Sequence, residues 1–390
     1  MNASRNMGET NSDEVRESIM QQIMSCGVAV YPDFEIPGEM ERTWAYLRSA
    51  RALGYGEVFT SLHIPERDVS GVLGELAALG EFVHRCGMEF TLDASGNVMN
   101  GFLDDPEKFA LLREIPMDWL RMDFGFDPES IRRMVGMLSL KGLMCNASML
   151  SAEEVRELVR MTEAWDGLKL RAHHNFYPRP ETGLSLEFLC AKSKPYLPYD
   201  IPVTACIPGF QNPRQPLFAG LPTVERHRRM CAGDAAAELK KTGLISSVLI
   251  GDPFAGEGEL EEVAEVCLGK PVTLRVQTEA EISEKERKIL FGGLHHTRPD
   301  CPETALRSQS SRGMAAIGTA ILPRENGGRR RFDITIDNEK YCRYSGELQL
   351  LLQDLPADPR VNVAAHVLPE DWGKVCRILP GTDFRLTEES

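Results

Sequence analysis

The chain has 390 residues, more than one ordinary hydrophobic core accommodates, so about two domains are expected. A net charge of −14 and a sequence pI near 5.2 exclude broad, sequence-blind binding to nucleic acid or an anionic membrane surface, while leaving room for a local basic pocket. No stretch reaches the ~18 uninterrupted apolar residues of a membrane span, so neither nucleic acid nor membrane is an expected partner.

The first 25 residues are polar and lack an apolar run of signal-peptide length. They are expected to form an N-terminal extension (1–25) on a cytoplasmic protein. The ten cysteines are scattered without a CxxC pair, and Cys26, Cys145 and Cys206 sit inside apolar runs, which fits reduced core thiols. From residue 26 onward eight short apolar runs alternate with helical patterns: 26–32, 57–63, 88–95, 119–125, 142–148, 168–175, 202–209 and 247–253. Between the first two, Pro37–Ala52 carries Met40, Trp44 and Leu47 at helical spacing. Asp127 followed by Pro128 predicts an N-cap with proline at the first helical position. Ser151 with Glu154 is a capping-box pattern.

Eight strands alternating with helices over residues 26–268 predict an α/β fold, a (β/α)8 TIM barrel. A doubly wound open sheet is the alternative, but CGVAVYPDFEIPG lacks its glycine-rich phosphate fingerprint. Residues 269–390 change rhythm and predict a small β-rich C-terminal domain, with strands at 271–279, 315–323, 330–337 and 345–356. The ENGGRR segment between the second and third reads as a hairpin turn.

Barrel enzymes gather their chemistry at the C-terminal ends of the strands. The residues ending each run are Tyr31; Ser61, His63 and Glu66; Asp93; Asp123; Asn146 and Ser148; His173, His174 and Asn175; Pro208 and Gly209; and Gly251 with Asp252. No nucleophile elbow, P-loop or Rossmann motif is present, and Lys169 lies at the wrong end of its strand for a Schiff base. No cofactor or metal is expected, although His63, one of His173 and His174, and Asp252 leave a metal-dependent hydrolase open. Carboxylates are abundant: Asp93 and Asp123 end consecutive strands, and Glu181 follows the sixth. Neighbouring carboxylates pushed to different protonation states are what glycoside hydrolysis requires.

The segment RAHHNFYPRPETGLS (171–185) concentrates these groups. Together with GVAVYP, FTSLHIPE (59–66), LRMDFGFD (120–127), CNAS (145–148), IPG (207–209), GLPTVERHR (220–228), IGD (250–252) and YSGELQL (344–350), it resembles the 6-phospho-N-acetylmuramidase (MupG-like) family. The resemblance implies a barrel followed by a cyclophilin-like β domain. It also implies hydrolysis of a phosphorylated amino-sugar disaccharide, 6-phospho-N-acetylmuramyl-N-acetylglucosamine, in peptidoglycan recycling. The family pattern falls on Asp93, Asp123, Asn146, His174, Asn175, Tyr177 and Glu181. Asp123 is the expected general acid, with Asp93 or Glu181 as second carboxylate, and the substrate's 2-acetamido group leaves substrate-assisted catalysis open. Asn146, His174, Asn175 and Tyr177 are expected to bind substrate. For the 6-phosphate, the candidates are the backbone N–H groups of Gly209 and of 251–258, with Asp252 alongside, and the side chains of Arg179, Arg298 and Arg307. A non-catalytic phosphosugar sensor and a sugar-phosphate isomerase stay open as alternatives, as does a homo-oligomer.

Overall fold

Alternating polarity within very short strands sets the architecture. In Glu57–Ser61, Val58 joins the large apolar layer beneath the helices, whereas Phe59 joins a small cluster with Ala29, Cys206 and Leu249 inside the ring of strands. The computed structural model describes residues 23–31, 33, 36–62, 69–165, 167–300, 303–314, 320–325 and 327–389. The extension up to residue 22, and His63 and Glu66 among the strand-end candidates, lie outside the described residues.

Met24–Leu268 is one compact unit. Its eight parallel strands close into a barrel in sequence order. They are β1 (Ser25–Ala29), β2 (Glu57–Ser61), β3 (Glu89–Ala94), β4 (Trp119–Met122), β5 (Gly142–Asn146), β6 (Lys169–His173), β7 (Val203–Ile207) and β8 (Ser247–Ile250). The first helix, α1 (Glu39–Leu53), buries Tyr46, Leu47 and Ala50 against the strands. Asp127 caps Pro128–Met137, accepting from the N–H groups of Glu129 and Ser130 at 2.9 Å each. Ser151 and Glu154 close the capping box on Ala152–Thr162. Two glycines bring the loops after β3 and β4 together: a Cβ on Gly96 would lie 1.8 Å from the Gly125 carbonyl oxygen, and Gly125 has φ of 75°.

The second unit, from Gly269 onward, is built on a seven-stranded mixed sheet. Its strands are β9 (Val272–Thr278), β10 (His295–His296), β11 (Ala305–Arg307), β12 (Asp333–Asp337), β13 (Leu348–Leu351), β14 (Val361–Val367) and β15 (Asp383–Glu388), in the order β10-β15-β9-β14-β12-β13-β11. Leu274, Val276, Ile334, Ile336, Leu348, Leu350 and Phe384 form its core. The expected hairpin around ENGGRR is corrected here. β12 pairs with β13 and β14, residues 320–323 are not a strand, and 315–319 lie outside the described residues. Arg329 instead bridges Leu355, so long-range pairing overrides the local turn signal. Among the described residues no helix is long and apolar enough to cross a membrane, and none of the nine cysteines is in a disulfide.

Candidate active site

The barrel interior holds two layers of charge. Near the strand N-termini, Arg171 on β6 meets Glu89 at 2.9 Å and Glu57 at 3.7 Å, and its guanidinium lies 3.8 Å from the Trp119 ring centre. Thr91 Oγ1 donates to Glu57, Trp119 Nε1 donates to Glu89, and Lys141 bridges Glu89 and Asp118. Burial pushes the Glu57 carboxyl upward against the pull of Arg171. For Glu89, Arg171, Trp119 and Lys141 outweigh burial, and its pKa is lowered. Every charged group in this layer has a partner.

The second layer lies at the C-terminal ends and centres on Arg121, inside β4 and 3% exposed. Its Nη1 donates to Asp93 Oδ1 at 2.5 Å and to Asp123 Oδ1 at 3.3 Å, and its Nη2 donates to Asn175 Oδ1 at 2.6 Å. Burial alone would lower the guanidinium pKa, but Asp93 and Asp123 more than offset it and keep the charge in place. Ser61 Oγ donates to the second oxygen of Asp93 at 2.9 Å, so this carboxylate, 4% exposed, is engaged at both ends. Asn146 Nδ2 donates to Asp123 Oδ1 at 3.1 Å and to Asn175 Oδ1 at 2.9 Å, while its own Oδ1 accepts from the Ser148 N–H.

These contacts fix the amide orientations by donor and acceptor type. Asn175 Oδ1 receives two donors, so its Nδ2 is left to donate elsewhere. Asp123 keeps 25% of its side chain exposed, and its Oδ2 has no partner among the described residues. Around this layer three further polar atoms are buried without a partner among the described residues: Tyr31 Oη, Arg121 Nε and His173 Nδ1. The first layer is saturated; the second is not. Unused hydrogen-bonding capacity at the C-terminal mouth of a barrel is the mark of a ligand site.

A family model for the N-terminal domain of 6-phospho-N-acetylmuramidase matches residues 26–265, and one for the C-terminal domain matches residues 272–387. The chain belongs to the 6-phospho-N-acetylmuramidase family. It is a glycoside hydrolase. Among solved structures, a conserved protein of unknown function from a locus in Enterococcus faecalis is 31% identical, with a TM-score of 0.70 over 94% of this chain and 97% of that one. An uncharacterized B. cereus protein is 26% identical, with a TM-score of 0.71 over 94% of this chain and all of that one. No curated protein sequence matches the chain.

Of the residues expected to form a muramidase site, Asp93, Asp123, Asn146 and Asn175 are brought together. His174 is not in the cavity. It points outward from β6 and is fully buried, with Nε2 3.0 Å from Ser193 Oγ and Nδ1 3.1 Å from Ser148 Oγ. Ser193 donates to the Leu189 carbonyl and Ser148 accepts from the Asn175 N–H, so the ring carries its proton on Nε2. Burial drops its pKa to about 3. His174 therefore positions Asn175 through Ser148. Its neighbour His173, paired with Asn146 across β5 and β6, takes the inward place beside Cys206.

Asp252, fully buried, accepts from the backbone N–H groups of Gly209 (3.0 Å), Leu221 (2.9 Å) and Arg214 (2.9 Å). It organises the loop after β7, and the Gly209 N–H expected to meet a phosphate is already used. Glu181 is exposed with φ of 70°, its own N–H held by Glu225 at 2.9 Å. Among the described residues, neither its carboxylate nor the exposed Arg179 contacts the Arg121 cluster. Tyr177 is half-buried and anchored through its backbone to Pro222 and Arg228. In the second unit, Arg298 is paired with Asp300 at 2.6 Å and Arg307 with Glu347 at 2.6 Å. Sequence reading missed Arg121 itself. The available signal was a charged residue in a four-residue strand, on the same face as Asp123.

Proposed function

We propose that the protein hydrolyses the glycosidic bond of 6-phospho-N-acetylmuramyl-N-acetylglucosamine, releasing the two sugars for reuse in the cytoplasm. The observation that carries the chemistry is the asymmetry of the two carboxylates. Asp93 is tied at both oxygens, whereas Asp123 has one oxygen engaged and Oδ2 without a partner among the described residues. Since both meet the same nitrogen of Arg121, the engaged oxygens lie within roughly 6 Å of each other, short of the gap that an inverting pair leaves for water.

In this reading Asp123 Oδ2 carries the proton to the glycosidic oxygen as the bond to the anomeric carbon breaks. With Asp93 occupied by Arg121 and Ser61, the oxygen of the substrate's own 2-acetamido group closes on that carbon. Water then opens the resulting ring and returns a proton to Asp123. Asn175 Nδ2 donates to a substrate oxygen, and Arg121 holds Asp93, Asp123 and Asn175 at fixed spacing.

The test is incubation of the phosphorylated disaccharide and its unphosphorylated twin with the wild-type protein and Asp123→Asn, with products followed by mass spectrometry. Wild type is expected to cleave the phosphorylated sugar. Asp123→Asn should lose roughly 10²–10⁴-fold in turnover, the contribution of a general acid. Normal turnover by Asp123→Asn would remove that role. Binding without cleavage by the wild type would favour a phosphosugar sensor.

A further inference from the structure

A cavity of about 660 Å³ opens between the loops that follow β1, β7 and β8, next to the carboxylate cluster. Its walls include Tyr31, Arg42, Asn212, Arg214, Phe218 and Phe254. Tyr31 connects the two places: it packs on the cluster of Ala29, Phe59, Cys206 and Leu249 inside the barrel, and it carries the Arg214 guanidinium 3.7 Å from its ring centre.

Arg214 differs from most other cations near the mouth. Arg121 and Arg228 are spent on carboxylates at 2.5 Å and 2.7 Å. Arg214 has no carboxylate within ion-pair distance among the described residues, and no hydrogen bond to its guanidinium is found there. Its backbone is fixed nevertheless, because its N–H donates to the fully buried Asp252 at 2.9 Å. The stacked ring holds the guanidinium plane, so the fork is oriented before any ligand arrives.

A second arginine faces the same space. Arg42 on α1 lies 3.8 Å from the Phe254 ring centre, with Asn212 at 3.4 Å and Glu39 at 3.7 Å as its polar neighbours. Two carboxylates also line the cavity, Asp33 and Glu39; Glu39 faces Arg42 and Asp33 has a partner of its own. Neither neutralises Arg214. Phe218 and Phe254 both hold left-handed backbone, with φ of 50° and 53°, a conformation that costs energy in bulky residues and concentrates at ligand clamps. Phe210, Leu217 and Phe218, all exposed, supply apolar surface on the same loop as Arg214.

We propose that Arg214, assisted by Arg42, receives the 6-phosphate of the substrate in this cavity, with Tyr31 separating the phosphate from the cleavage site. The assignment rests on the muramidase reading for the identity of the anion, and its chemistry is that of any sugar phosphomonoester met bidentately by a guanidinium. It replaces the backbone N–H of Gly209 and the side chain of Arg179 as the phosphate donors.

Calorimetry with the full chain would compare 6-phospho-N-acetylmuramic acid with N-acetylmuramic acid. Wild type is expected to prefer the phosphorylated sugar. Arg214→Gln should reduce that preference at least roughly thirty-fold while leaving affinity for the unphosphorylated sugar in place. Arg42→Gln should reduce it less. Arg214→Lys, which keeps the charge but not the fork, should fall between Arg214→Gln and wild type and serves if the glutamine variant does not fold. An undiminished preference in folded Arg214→Gln, or its loss in Arg179→Gln instead, overturns the proposal. So does equal binding of the two sugars by wild type. If wild type cleaves the phosphorylated disaccharide and Arg214→Gln does so with undiminished kcat/KM, the phosphate site falls and the muramidase reading stands. If wild type cleaves nothing yet binds the phosphosugar through Arg214, the reverse holds.

Discussion

The two charged layers of the barrel are made from the same residue types and lead to opposite uses. Near the strand N-termini, Glu57, Glu89, Arg171, Lys141 and Asp118 satisfy one another, and Trp119 covers the guanidinium. A Cβ on Gly142 would lie 2.4 Å from the Trp119 ring, so glycine is what lets the indole fill that floor. At the other end, Arg121 organises Asp93, Asp123 and Asn175 but leaves Asp123 Oδ2 and Asn175 Nδ2 uncommitted among the described residues. Charge inside a barrel is therefore not by itself a functional signal. Incomplete satisfaction at the loop-bearing end is.

Exchange experiments between the layers break or sharpen this contrast. The largest effect is expected from Asp123→Asn, which should abolish most turnover and change unfolding in urea by no more than roughly 1–2 kcal/mol, because the amide oxygen still accepts from Arg121 and Asn146. Arg171→Leu should do the opposite. It strands Glu57 and Glu89, and with Arg171 27% and Glu89 30% exposed the cost is set below that of a fully buried pair, at roughly 1–3 kcal/mol, with kcat of the folded fraction retained. A large loss of kcat in that variant would show that the two layers are coupled. Asn175→Asp, which keeps an oxygen to accept from Arg121 and Asn146 but removes the free donor, should lower kcat/KM roughly tenfold to a hundredfold with little change in melting temperature. If melting temperature falls instead, Asn175 is there for structure.

Two histidines give the most specific readouts. His174 has its pKa depressed by burial to about 3. The unfolded chain thus binds its proton first, and barrel stability should be complete above about pH 6.5 and decline as pH falls toward 3. Replacing His174 with phenylalanine should flatten that acid limb. His366, on β14, is raised to about 9, chiefly by its bond to Asp333 and further by Glu279, with burial opposing. Its contribution is present below about pH 6.5 and is lost as pH rises through 9. Since the ring is 41% exposed, solvent screening keeps the effect under roughly 1 kcal/mol. His366→Gln should remove that alkaline decline from the C-terminal unit alone, detected by amide exchange of β12 and β14.

Much of the fold was legible because its signals are local. All eight barrel strands fall inside the apolar runs to within a residue, and Asp127–Pro128 and Ser151–Glu154 start helices by side-chain to backbone bonds that span only three residues. The C-terminal sheet was less legible. Its β14 and β15, which flank β9, were not read as strands, and β12 pairs forward in the chain with β13 and β14 rather than back across ENGGRR.

The site divides in the same way. Sequence alone determined that Asp93, Asp123, Asn146 and Asn175 end their strands, because strand periodicity and strand ends are properties of a segment. Tertiary structure decided which of His173 and His174 faces inward, because that depends on the register with Asn146 across the β5–β6 pair. It also decided that Asp252 is used up by three backbone N–H groups, that Arg121 is the hub, and that Arg214 stands without a carboxylate partner among the described residues. Whether a polar group is satisfied depends on what the closed barrel places beside it, and those neighbours come from elements far apart in the chain.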